Sequence, residues 1–139
     1  MSYKILAKYI KDLKFEIPNT ETYFEFSKEI AKYKINIDIK SKELKKKIIE
    51  VETCLHLKPH EKDTGKLKSN IVYNTIIQLD EEIKEKEQIE EIILVKVPSE
   101  IYPELRRIFV LNFESSGFKN IKIEEKVDFM KLYKSKSNQ

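Results

Sequence analysis

The chain is 139 residues long, 40% apolar and 37% charged, with 27 basic against 24 acidic side chains and a net charge of +3. That size and balance fit one soluble domain with a modest core (residues 1–139), and they exclude a disordered chain. No run approaches the ~20 apolar residues of a membrane span; Met1–Leu6 lacks a signal-peptide pattern, and Cys54 is a lone cysteine, so a bacterial cytoplasmic protein with no membrane insertion is expected.

Tyr3, Ile5, Ala7, Tyr9, Leu13, Phe15 and Ile17 share one parity, against Lys4, Lys8, Asp12, Lys14 and Glu16 on the other. This period of two predicts a half-buried strand, broken at Pro18-Asn19. A second alternation, Tyr33, Ile35, Ile37 and Ile39, leads through a polar turn around Ser41–Lys45 to a third, Ile49, Val51, Thr53, Leu55 and Leu57. A hairpin connection at Pro59–Lys66 precedes a fourth run, Leu67 to Leu79, and four such strands in sequence predict an antiparallel sheet with one wet face. Glu81 to Glu91 is acidic and reads as a loop or as the start of a helix; Ile92–Val95 is too short to classify by period, and Pro98-Ser99 fits a helix start or a kink.

From there to Ser116 the spacing is helical, with Gly117 as its stop. Ile101, Tyr102, Leu105, Ile108, Phe109 and Phe113 form an apolar face that Val110 and Leu111 widen, leaving only Glu100, Arg107 and Glu114 as a clear polar stripe. A face this wide needs cover on two sides, either from residues 118–133 of the same chain or, as the favoured reading, from another subunit meeting Ile101, Leu105, Ile108 and Leu111. A short last helix is expected from Asp128 as N-cap, carrying Phe129, Leu132 and Tyr133, with 134–139 as a frayed tail. The fold class is therefore α+β: a four-stranded antiparallel sheet, then a long helix and a short C-terminal one.

Little in the sequence points to catalysis, to a cofactor or to a metal. Cys54, His56, His60 and Asp63 do not match a zinc spacing and read better as hydrated surface. Two glycines, Gly65 and Gly117, cannot build a phosphate cradle, and Ser115-Ser116-Gly117 is a helix end rather than a nucleophile elbow. Carboxylate pairs such as Glu50/Glu52 fit a solvated strand face. Of the basic residues only Arg106 and Arg107 are arginine, and the lysines are interleaved with acids, so no nucleic acid is expected as partner. The competing reading, a sheet-based nucleic-acid binder, would use Lys34, Lys40, Lys68 and Tyr73.

Tyr9-Ile10-Lys11-Asp12-Leu13-Lys14-Phe15-Glu16-Ile17-Pro18-Asn19, followed by Phe24, resembles the N-terminal signature of the SecB export-chaperone family, Y-x-K-D-L-x-F-E-x-P-N. Pro98, Ile101-Tyr102-Pro103 and Arg106 resemble its C-P-x-x-L-F-P-x-x-R, and Gly117-Phe118 with Val127-Asp128-Phe129 and Leu132-Tyr133 resembles its C-terminal G-F-P…V-D-F-x-x-L-Y. The resemblance implies an ATP-independent, cofactor-free chaperone that holds unfolded precursor polypeptides and delivers them to the SecA motor. It implies a homotetramer, a dimer of dimers with the long helices between sheets. By position, Asp12 and Glu16 would meet SecA, while Asn70 stands where a third acid is common. The groove candidates for client binding are Tyr23, Phe24, Ile35, Ile37, Ile39, Tyr102 and Phe109. A SecB-like chaperone dedicated to one client, such as an antitoxin, is the variant of this reading.

Overall fold

A computed structural model describes residues 2–29, 34–58, 67–118, 121 and 123–137. The order along the chain is β1 (Tyr3–Glu16), α1 (Thr20–Glu29), β2 (Lys34–Lys45), β3 (Ile48–Lys58), β4 (Lys68–Leu79), α2 (Lys86–Glu91), a π-helical turn (Ile92–Lys96), α3 (Val97–Ser115) and α4 (Phe129–Ser137). The expected connection at 59–66 lies outside the described residues, and so do Tyr33, His60 and Asp63.

The strands form one antiparallel sheet in the order β1-β4-β3-β2, so β1 and β2 are its two edges. On β4 every odd position from Ser69 to Leu79 is buried, which marks the face that the helices cover. Strand β1 departs from the single parity expected of it. Register shifts between Ile5 and Ala7 and between Ile10 and Asp12 insert Leu6 and Lys11 as bulge residues. Each bulge exchanges the faces of the residues after it. Tyr3, Ile5, Lys8, Ile10, Leu13 and Phe15 therefore pair with the covered positions of β4, while Ala7 and Tyr9 turn to the open face beside Ile76 and Asn74.

Helix α1 was not foreseen in the break at Pro18-Asn19. Asn19 is its N-cap: its Oδ1 accepts from the Thr22 backbone N–H at 2.8 Å and from the Thr22 hydroxyl at 2.9 Å. The helix carries the chain from one edge of the sheet toward the other and buries Phe26 against Phe113 and Phe118.

Helices α2 and α3 are continuous through the π-helical turn, where the Val97 N–H donates to the Ile92 carbonyl. Pro98 explains the irregularity: it has no N–H to offer the Leu94 carbonyl, and its ring would crowd that oxygen in a regular helix. Helix α3 ends in a Schellman motif, with the Gly117 N–H on Glu114 O at 3.1 Å and the Phe118 N–H on Phe113 O at 3.0 Å. Two linked cores result. One gathers Phe26, Leu55, Ile71, Leu105, Phe109 and Phe113; the other gathers Val51, Ile77, Ile83, Ile92, Ile93 and Val97.

The second cover of α3 comes from its own chain. The Tyr102 hydroxyl donates to Glu124 O at 2.7 Å, and Arg106 donates to Ile123 O from Nε and Nη2 at 3.3 and 3.2 Å. This corrects the favoured reading of the wide apolar face: Ile101 and Leu105 are buried inside one chain and Ile108 nearly so, which leaves Leu111 as the exposed member of that set. The last helix starts after Asp128 as expected, the Lys131 N–H donating to Asp128 Oδ1 at 3.0 Å, and spans Phe129–Ser137.

Candidate functional site

Strand β2 lies at a sheet edge, and its residues Ile35, Ile37 and Ile39 alternate toward the covered side. Their outer wall is α4, and between the two runs an apolar groove. One cavity of about 350 Å³ is lined by Ile37, Ile39, Leu94, Phe129, Leu132 and Tyr133, with Glu90 at its margin. A second, about 630 Å³, shares Ile37 and Leu132 and continues past Ile35 to Glu124, Val127 and Asp128. Volumes of this order hold several side chains of an extended peptide.

Each wall has a local cause. Alternation on β2 places three isoleucines on one face. Asp128 caps α4, and Phe129 is buried edge-on against Tyr102 at 5.9 Å between ring centroids. The Tyr133 hydroxyl donates to Glu90 Oε2 at 3.1 Å, tying α4 to α2, and that bond pushes the Tyr133 phenol above its usual range. Leu132 stays 45% exposed, which leaves an apolar lip open to solvent.

The candidate client residues separate into three groups. Ile35, Ile37 and Ile39 line the groove. Tyr23 and Phe24 sit on α1 instead: Tyr23 stacks on Phe118 at 4.8 Å, and Phe24 is 58% exposed. Tyr102 and Phe109 correct the expectation, because they are core residues closed over by the 121–129 segment and by the sheet. Sequence reasoning missed Leu94, Phe129, Leu132 and Tyr133 as groove residues. The i, i+3, i+4 spacing of the last three was the available signal, since it gives α4 an apolar face that must rest on something.

Asp12 and Glu16 project from the open face of β1, with Lys14 between them and its Nζ 3.9 Å from Asp12 Oδ2. Opposite them on β4 stand Val72, Asn70 and Lys68. The two acids are therefore interleaved with two lysines. Asn70 is occupied by Cys54, whose thiol donates to its Oδ1 at 3.0 Å; burial first, and then Asp38, push that thiol's pKa up and suppress the thiolate. Asp38 also lies 3.6 Å from His56 Nδ1.

Further along the same face Asn74 donates to the Tyr9 hydroxyl and to Glu50, both at 2.8 Å, and Lys11 pairs with Glu52. Of the residues offered for nucleic acid, Lys40 faces Glu52 across the β2–β3 ladder and Lys68 faces Glu16 across the β1–β4 ladder, while Tyr73 is buried. The two arginines are engaged within the chain, Arg106 donating to Ile123 O and Arg107 pairing with Glu104 at 2.7 Å.

Comparison with known proteins places this geometry. The family model described as preprotein translocase subunit SecB matches residues 1–139. A putative protein-export protein SecB of Pelagibacter ubique is 44% identical over 137 residues, covering 99% of this chain and 98% of the relative. The protein-export protein SecB of Parvibaculum lavamentivorans is 25% identical over 137 residues, covering 98% of this chain and 79% of that one. Among solved structures, a Mycobacterium tuberculosis SecB-like chaperone in complex with a ChAD peptide from the HigA1 antitoxin superposes with a TM-score of 0.63 at 9% identity, covering 88% of this chain and 90% of that chain, and so shares the fold. The match along the full length, the relative at 44% identity and the sheet-and-helix architecture agree: the chain belongs to the SecB family of protein-export chaperones.

Proposed function

We propose that this chain holds unfolded precursor polypeptides in the groove between β2 and α4, without nucleotide, and delivers them to SecA through the open face of β1. The observation that carries the reading is the groove itself. It offers an apolar cavity, continued by one that Asp38, Lys126 and Lys131 also line, beside a sheet edge in a chain whose family exports proteins, and that combination receives side chains without demanding a sequence. Asp12 and Glu16 are the docking acids under this reading, and with Lys14 and Lys68 among them the docking is weak and sensitive to salt.

Self-assembly into a tetramer is assigned to the opposite edge. Ile10 and Leu13 are 43% and 40% exposed on the helix side of β1, and Leu111 is 52% exposed on α3. A bacterial cytoplasmic location accords with this role. The relatives named for export are the ones that align in sequence, whereas the antitoxin-bound neighbour shares 9% identity, so general export is preferred to a dedicated client. The test is one preparation measured twice: light scattering should give a mass near four chains, and an aggregating client should stay soluble at stoichiometric chaperone without ATP. A monodisperse monomer that leaves aggregation unchanged would refute the proposal.

A further inference from the structure

We infer that the π-helical turn Ile92–Lys96, held by Pro98, is the positioning element of the groove: it turns Leu94 into the cavity and seats α4. This rests on the groove being the client site and adds to it the reason the groove exists. Ile92 is 1% exposed and Val97 is fully buried, although they are five residues apart. On a regular α-helix five residues separate two side chains by about 140°, so burying both takes cover on two sides, as Val97 and Tyr102 have on α3. The π-helical turn stacks both on one face, with the Val97 N–H on Ile92 O.

The residue this turn takes in beyond an α-turn displaces its middle outward, and Leu94 emerges between buried Ile93 and Val97 to line the cavity one turn beyond Glu90. Pro98 prevents relaxation, because it cannot supply the N–H that a regular helix would place on Leu94 O. The same turn is the main support of α4. One irregularity thus provides both a floor residue and the seat of the opposite wall.

A π-helical turn differs from an α-turn by a single inserted residue, so deleting Val95 together with Pro98→Ala in the full chain should restore regular helix and remove the device. Hydrogen exchange of α4 amides should then quicken at least about tenfold while sheet amides hold. Affinity for fluorescently labelled, reduced and carboxymethylated α-lactalbumin should fall about tenfold. Point variants keep the test decisive if the deletion does not fold. Leu94→Ala should weaken client binding about fivefold, and Val95→Ala should leave it within about twofold. Unchanged α4 exchange in the deletion variant overturns the inference. So does wild-type client affinity of Leu94→Ala in an assay where Leu132→Lys loses binding. If Leu132→Lys also binds normally, the groove assignment falls instead, and the exchange result alone decides whether the turn seats α4.

Discussion

Gly117 is where backbone and side-chain constraints meet, and Gly117→Ala tests both. Its φ of +93° lies in the left-handed region, which costs a residue with a Cβ about 1–2 kcal/mol. A Cβ built there would stand 2.7 Å from the Tyr23 hydroxyl oxygen, well inside contact distance. That hydroxyl cannot simply swing away. Its ring is stacked on Phe118 at 4.8 Å and edge-on to Phe24 at 5.5 Å, contacts worth about 1 kcal/mol beyond the area they bury.

The sum predicts a loss of about 2–3 kcal/mol. With a urea slope of about 2 kcal/mol/M, the midpoint should drop by about 1–1.5 M with the slope unchanged. Protomer concentration must be fixed across the series, since assembly would otherwise enter the midpoint. The steric part is isolated by repeating the substitution in a Tyr23→Phe background, where the obstructing oxygen is gone. Gly117→Ala should cost about 1 kcal/mol less there. Equal costs in the two backgrounds, within about 0.4 kcal/mol, would refute the contact argument, and a total below about 0.5 kcal/mol would refute the backbone argument as well.

Three further outcomes are expected. Burial, and then the hydrogen bond to Glu100 at 3.0 Å, push the Tyr3 phenol from 10.0 up to about 12. Because the folded value lies above the unfolded one, this stabilisation is complete below pH 10 and is lost as pH rises from 10 to 12. Urea midpoints of wild type should therefore decline more steeply over that window than those of Tyr3→Phe; parallel declines would count against the bond. Asp12→Lys combined with Glu16→Lys should abolish SecA binding in a pull-down at low salt and leave client holding intact, and unchanged SecA binding would remove both residues from the docking role. Leu132→Lys places a charge on the exposed lip shared by both cavities, so client affinity should fall at least about tenfold at constant oligomeric mass; wild-type affinity would place the client elsewhere.

The sheet was legible because β3 and β4 keep one parity throughout and β2 keeps it as far as a bulge at Leu44. In β2, β3 and β4 a period of two alone assigns the faces. Strand β1 defeated that reading at Leu6 and Lys11, since a bulge has no residue signature of its own and is fixed only by pairing with β4. The α2 to α3 segment was obscure for a related reason. Ile92–Val95 is apolar at four successive positions, so no single period could classify it before the π-helical turn is known. Helix α1 was hidden by having so few apolar residues, although Asn19 followed by Glu21 in the first turn was a capping signal in plain view. The wide face of α3 was read correctly as needing two covers. Which chain supplies the second depended on where residues 121–129 fold back, and that is a matter of tertiary contact rather than composition.

The placement of the exposed apolar residues argues that assembly and holding need not compete. Leu6, Ile10 and Leu13 lie on β1 and Leu111 on α3, while Ile35, Ile37, Ile39 and Leu132 gather along the β2 side. Two strands lie between these edges, and at about 4.8 Å per strand spacing the edges are about 14 Å apart. A second copy seated on the β1 edge, as proposed, would bury its patch without reaching the groove. The open face between them carries the paired charges Lys11–Glu52 and Lys14–Asp12, a polar surface that neither apolar partner would cover. Under the proposed function each neighbour thus has its own ground: a copy of the chain at one edge, the client at the other, and the motor on the charged face. Substitutions at Leu111 should then alter oligomeric mass before they alter the affinity of a surviving oligomer for client. The reverse order, with client affinity lost at constant mass, would mean that the client extends across α3 to the β1 side and that the separation of edges has no functional meaning.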